Sequence, residues 1–261
     1  MRVDLFSIGN FTIHSYGLLI AVGVILAVIM AMKRAGKKDL NSEVVLNMAI
    51  ICVVFGFLGA KLLYVLENFR AFLEDPLSVI GSSGFVVYGG IFIGVAAIIL
   101  YCRIKKYSFF RYFDLLMPSV ALGQAFGRLG CFCAGCCYGR ETDLAWGVVF
   151  PEGSFAPAGV PLIPTQLISS AGDFAIMIIL LLFSRKAKKV GDVGALYLLL
   201  YGIGRFLVEF LRQNEQGGIG IFTTAQLMSF VFIAASVILF IRNRKGRHAE
   251  NYQEEYYSIW L

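Results

Sequence analysis

Apolar residues in this chain run on for about 20 positions at a time and are broken by short charged clusters, unlike the one-sided stripe of a soluble amphipathic helix. Such runs cover residues 14–32, 43–65, 85–102, 112–132, 163–183, 193–212 and 222–241. A hydrocarbon layer about 30 Å thick takes roughly 20 helical residues, so the pattern predicts an all-α polytopic membrane protein of about seven transmembrane helices. The first run has little positive charge before it (Arg2, with Asp4 nearby) and no small-residue cleavage site after it, so it reads as a retained helix and not a signal peptide. Residues 138–162, with Trp146, Pro151, Pro157 and Pro161, are too polar and too rich in Gly and Pro to be a span. The connection 133–162 can instead form a small cap. Residues 1–241 thus read as one seven-span domain and 242–261 as a basic and aromatic tail.

The positive charges set a direction. Lys33, Arg34, Lys37 and Lys38 follow the first run, Arg103, Lys105, Lys106 and Arg111 the third, and Arg185, Lys186, Lys188 and Lys189 the fifth; Arg242, Arg244, Lys245 and Arg247 open the tail. These sixteen of the 23 Lys and Arg alternate with connections nearly free of them. The positive-inside bias makes them cytoplasmic, with the amino terminus and the loops 66–84, 133–162 and 213–221 outside. Topology therefore accounts for the net charge of +6, and no nucleic-acid partner is implied. Tyr252, Tyr256, Tyr257 and Trp260 in the tail suit a membrane interface and carry no evident chemistry. Composition agrees: 58% hydrophobic and 15% charged, against roughly 25% charged in soluble domains.

Four of the remaining cations bear on function. Lys61, Arg128 and Arg205 lie within or at the edge of apolar runs and Arg212 closes one. A charge at bilayer depth costs several kcal/mol and normally faces a protein interior or a wet cavity, although Lys61 and Arg212 can also snorkel to the interface. Glu209 follows Arg205 at i+4 and precedes Arg212 by three, so one helix is expected to present a plus, minus, plus stripe. That stripe is either a structural ion pair or an anion-binding wall, and arginine's planar fork suits phosphate. Arg128 stands between Gly127 and Gly130, where small residues allow close backbone approach. A phospholipid headgroup is the anion available at that depth.

Seven motifs follow in order: Ile13-His14-Ser15-Tyr16-Gly17-Leu18, Gly59-Ala60-Lys61-Leu62, Tyr88-Gly89-Gly90, Gly127-Arg128-Leu129-Gly130, Pro164-Thr165-Gln166-Leu167, Gly204-Arg205-Phe206-Leu207-Val208-Glu209-Phe210-Leu211-Arg212 and Ala225-Gln226-Leu227. In order, spacing and seven-span setting they resemble the bacterial prolipoprotein diacylglyceryl transferases over nearly the whole chain. The resemblance implies transfer of the diacylglyceryl group of phosphatidylglycerol to the lipobox cysteine thiol of a secreted prolipoprotein signal peptide, at the outer face of a bacterial inner membrane. It implies that Arg128, Arg205, Glu209, Tyr16 and Tyr88 are catalytic, and that Arg128, Arg205, Arg212, Lys61, His14 and Gln166 bind phospholipid. No cofactor is implied. The chemistry agrees, since displacing a phosphodiester at a primary carbon needs a thiolate and a neutralised leaving phosphate.

The family's Gly-Arg-x-Gly-Asn-Phe-x-Asn-Gly-Glu reads here with Cys131, Ala134 and Cys136 in place of the two asparagines and the glutamate, and the histidine of its His-Gly-Gly is Tyr88. The chain is thus a divergent, cysteine-rich member. Cys131, Cys133, Cys136 and Cys137 leave several readings open: packing, a disulfide from Cys133 to Cys136 or Cys137, a soft metal, or a thiol at Cys131, Cys136 or Cys137 that accepts lipid. With two histidines a histidine-based metal site is not expected. Cys52 and Cys102 read as small apolar fillers. His14 and Tyr16, at the outer start of the first span, equally suit an aromatic belt. A transporter and a redox protein are the competing classes. The lack of an internal repeat speaks against the first, and the lack of any quinone or haem site against the second.

Overall fold

The computed structural model describes residues 4–8, 11–82, 84–212, 218–219 and 221–245; Arg2, His248 and the aromatic tail lie outside them. In chain order the elements are β1 (Asp4–Ile8), β2 (Phe11–His14), α1 (Ser15–Gly36), α2 (Ser42–Glu67), α3 (Phe69–Glu74), α4 (Pro76–Gly81), α5 (Val87–Lys105), α6 (Phe109–Ala134), β3 (Val148–Val149), β4 (Pro161–Leu162), α7 (Thr165–Phe183), α8 (Asp192–Glu209), β5 (Gly218–Ile219), β6 (Phe222–Thr223) and α9 (Thr224–Lys245). The strands form three antiparallel hairpins, β1 with β2, β3 with β4 and β5 with β6.

Each of the seven apolar runs lies on a long helix, and five of these (α1, α2, α5, α7 and α9) are long and apolar enough to cross a membrane by length and composition. Five candidate spans make this a polytopic membrane protein. The other two long helices are those interrupted by charge: α6 carries Arg111, Asp114 and Arg128, and α8 carries Asp192, Arg205 and Glu209. Large apolar side chains cover the outside, among them Ile50, Val53, Val54, Phe57 and Leu58 on α2. Such a surface suits hydrocarbon and not water.

Several boundaries differ from the sequence expectation. The first helix continues to Gly36, because Lys33 and Arg34 in its last turn complement the helix dipole. Two short helices, α3 and α4, occupy the 66–84 connection, and α4 is capped by Asp75, whose carboxylate accepts from Ser78 N at 3.2 Å. α8 ends at Glu209, three residues before the end of its apolar run, as Phe210, Leu211 and Arg212 turn back onto carbonyls three residues earlier. Arg212 therefore lies just beyond the helix.

The chain divides into two compact units, one of residues up to Ala31 with Phe113 onward, the other Met32–Tyr112. In the second unit α2 packs on α5 through glycines: a Cβ added to Gly59 would stand 2.6 Å from Gly89 O, and one on Gly89 would clash with Gly59 O. In the first, α6, α7 and α8 share a core of Met117, Ala121, Ile176, Leu180, Val193 and Tyr197. Buried Asp114 on α6 accepts from Gly191 N and Gly194 N, each at 2.7 Å, and so satisfies the orphan donors that open α8. Ser236 Oγ donates to Ala195 O at 2.6 Å and ties α9 to α8.

Candidate active site

The site begins where α6 stops. Gly135 adopts the left-handed conformation (φ 73°), with Gly135 N bonded to Phe132 O at 3.2 Å and Cys136 N to Cys131 O at 3.1 Å. This is the Schellman closure of a helix, which brings the second residue past the cap back beside the residue five positions earlier. Cys136 is thereby set against Cys131, and its Sγ lies 3.7 Å from Cys131 O. Cys137 is itself left-handed (φ 60°), a conformation that costs a non-glycine residue about 1–2 kcal/mol. The sulfurs of Cys131, Cys136 and Cys137 all lie within 4.8 Å of one another.

α7 fixes this turn from the other side. Thr165 Oγ1 donates to Cys137 O at 2.8 Å and Gln166 Nε2 to Cys136 O at 2.7 Å. Both residues are about 1% exposed, and Gln166 Oε1 has no hydrogen-bond partner among the described residues. Gln166, expected at the phospholipid, is thus committed through its amide nitrogen to the cysteine turn.

All six cysteines are free thiols. The expected pairing of Cys133 with Cys136 or Cys137 is not what the fold assembles: Cys133 stays outside the triad, because two residues along a helix turn it by about 200° from Cys131. Of the two span cysteines, Cys102 is a buried filler as expected, and Cys52, although exposed on α2, sets its sulfur over Gly94 of α5, where an added Cβ would stand 3.9 Å from Sγ. Within the triad, hydrogen bonds from Cys131 and Cys136 pull the Cys137 thiol well below its ordinary range, assisted by Arg212 and Arg128. Hydrogen bonding with Cys131 and Cys137, together with burial, pushes Cys136 up.

The charged groups gather around Cys137. Arg128 and Arg212 both act on its sulfur, and Arg128 also faces Cys131, Tyr201 and Asp173. Glu209, with a side chain 4% exposed, receives Arg205 Nη1 at 2.6 Å and Arg212 Nη1 at 3.9 Å on Oε2. Its Oε1 accepts from Thr223 Oγ1 at 2.9 Å. The plus, minus, plus stripe expected on one helix thus exists, but its last member reaches Glu209 from the turn after α8, where Arg212 pairs in an isolated bridge with Gly139. Tyr16, at the start of α1, lies within electrostatic reach of all three triad cysteines and Arg128, and its backbone packs against Gly130, where an added Cβ would stand 3.2 Å from Tyr16 O.

Three more of the expected residues lie on other elements. His14 ends β2 and is exposed. Tyr88 belongs to the unit built on α2 and α5, near the start of α5. Lys61, in that unit, braces the turn before α5: Nζ donates to Ser82 O (2.7 Å), Ser82 Oγ (3.2 Å) and Gly84 O (3.3 Å), and lies 4.9 Å from the Phe85 ring centre. Two contributors escaped the sequence reading. Asp173 is the single charged residue of the run 163–183 and is buried, so the rule that flagged the intramembrane cations flags it as well. Thr223 carried no signal, since its partner is fourteen residues away.

Comparison with known proteins supplies the family. The model of the prolipoprotein diacylglyceryl transferases matches residues 4–242. A phosphatidylglycerol–prolipoprotein diacylglyceryl transferase of Clostridium tetani is 43% identical over 242 residues, 92% of this chain and 97% of its own. A second such enzyme, from Clostridium perfringens, is 41% identical over 95% of this chain and 98% of its own. One from Clostridioides difficile is 32% identical over 96% and 98%. By its ordered motifs, its polytopic helical fold and these relatives, the chain belongs to the prolipoprotein diacylglyceryl transferase family.

Proposed function

We propose that this protein is a phosphatidylglycerol–prolipoprotein diacylglyceryl transferase that alkylates the lipobox cysteine of a secreted prolipoprotein. The thiol sulfur gives up its proton to solvent and bonds to the primary carbon of the diacylglyceryl group, the bond from that carbon to the phosphate oxygen breaks, and glycerol phosphate leaves. The observation that carries the site assignment is the single buried Glu209 carboxylate shared by Arg205 and Arg212, with Arg212 and Arg128 both within electrostatic reach of Cys137. Three guanidiniums linked in this way suit a phosphodiester and the extra charge its leaving group gains. Arg128 and Arg205 bind and polarise the phosphate in this scheme, Arg212 and Gln166 hold its surroundings, and Glu209 aims the two arginines beside it. Tyr16 flanks the reacting carbon, and His14, two residues before it, meets the rest of the phospholipid.

The same reading adds α6 and α8 as the fourth and sixth of seven spans, puts the amino terminus outside a bacterial inner membrane and the carboxy terminus in the cytoplasm, and turns the site to the outer face. The 133–162 segment has its own small core of Phe150, Ala156 and Leu162, which supports its role as a cap. Tags at residues 1 and 261 are expected on opposite sides of the membrane, and protease protection finding both on one side would end the seven-span count. For the activity, purified protein is mixed with phosphatidylglycerol vesicles and a lipobox peptide. The peptide is expected to gain one diacylglyceryl mass for each glycerol phosphate released. A cooperatively folded preparation that leaves the peptide unmodified, or modifies it only with another phospholipid, would refute the assignment.

A further inference from the structure

We propose that Cys131, Cys136 and Cys137 form a three-sulfur site for a thiophilic d10 cation such as Zn2+, with a fourth position open to the acceptor thiol. The sulfurs already lie within 4.8 Å of one another, and a shared zinc at about 2.3 Å from each would set them about 3.8–4.0 Å apart. Closing that gap takes small side-chain rotations, because the backbone is already committed. The Schellman turn holds Cys136 to Cys131, the left-handed Cys137 points its thiol back toward both, and Thr165 and Gln166 pin the two carbonyls.

Two further observations point to a ligand. Gln166 is fully buried and its Oε1, on the amide that grips Cys136 O, lacks a donor, which a water or thiol on the metal can supply. Arg128 and Arg212 lie within electrostatic reach of Cys137, and Arg128 of Cys131 as well, so positive charge that offsets a metal–trithiolate centre is present in the same unit of the fold. Three cysteines with an open position are the ligand count of reactive zinc sites and not of closed structural ones.

The role of the open position rests on the transferase reading. An alkyl transfer to sulfur needs a thiolate, and a thiol that coordinates a metal is deprotonated outright. The peptide S–H would bind the cation and release its proton to solvent; the sulfur would then take the diacylglyceryl carbon as the phosphate leaves. The thioether product is a weak, uncharged ligand and dissociates.

The test uses reduced, detergent-purified full-length protein. Chelator-competition titration is expected to find one Zn2+ per chain, lost in Cys131→Ser and Cys136→Ser and retained in Cys133→Ser. In the wild type, bound Zn2+ should protect three mapped thiols, those of the triad, from maleimide, which answers the question even where a variant fails to fold. With Cd2+ in place of Zn2+, the near-ultraviolet sulfur-to-cadmium band should grow when lipobox peptide is added and stay constant with its Cys→Ser form. No stoichiometric uptake, protection of other thiols, or uptake surviving in both triad variants would overturn the site. A cadmium band indifferent to the peptide thiol would overturn the open position. The band needs no turnover, so a peptide-dependent band without lipid transfer would sink the transferase reading and leave the metal site standing.

Discussion

Replacing Glu209 by glutamine removes one negative charge and almost no volume, and it tests whether that carboxylate is what allows two arginines to sit together. Oε2 lies 2.6 Å from Arg205 Nη1 and 3.9 Å from Arg212 Nη1, and the three side chains are 4%, 17% and 13% exposed. At an effective permittivity near 20, a pair about 4 Å apart attracts by about 4 kcal/mol. Desolvation cancels much of that, and removing one member of a buried pair costs roughly 3–5 kcal/mol. Glutamine keeps an acceptor for Thr223, a bond worth about 1 kcal/mol, so the expected loss is at the low end, on the order of 3 kcal/mol. With the scaling of domains of this size, thermal unfolding in detergent should move down by about 6–12 °C. Thr223→Val, which leaves the charges alone, should lose about 1 kcal/mol. If Glu209→Gln melts within 2 °C of wild type at unchanged transfer rate, the shared-carboxylate account is wrong.

Arg205→Lys keeps a charge near Glu209 but loses the planar fork, so lipid transfer measured by peptide mass should fall about a hundredfold while the melting temperature changes little. Asp114→Ala leaves Gly191 N and Gly194 N without their acceptor inside the protein, and should cost on the order of 3 kcal/mol in the same unfolding assay, with Asp114→Asn intermediate. Gly59→Val puts a branched side chain where Gly89 O is already 2.6 Å from a bare Cβ, and should destabilise by roughly 3 kcal/mol or prevent accumulation in the membrane; wild-type yield and melting would contradict the close α2–α5 packing.

The helices were legible because lipid imposes length and apolarity on every span, a signal that needs no knowledge of neighbours. What the sequence concealed depends on how chain ends turn. The two short helices between α2 and α5 contain too little apolar sequence to register, and α8 stops at Glu209 although hydrophobicity continues through Phe210 and Leu211. The cysteines show the same divide. Spacing left a disulfide from Cys133 open beside packing, a metal and a reactive thiol, whereas a glycine after an apolar helix already implies a Schellman turn, and that turn sets Cys131 beside Cys136. Arg205 and Glu209 were readable from their i+4 spacing, whereas the bridge that brings Arg212 beside Gly139, two residues from Cys137, joins segments far apart in the chain.

Glu209 also clasps its own loop. Arg212 meets it at the start of the α8–α9 connection and Thr223 at the end, so both edges of that connection are tied to one carboxylate. A single change at Glu209 therefore frees both edges at once, so the turn after α8 and the entry to α9 are expected to loosen together.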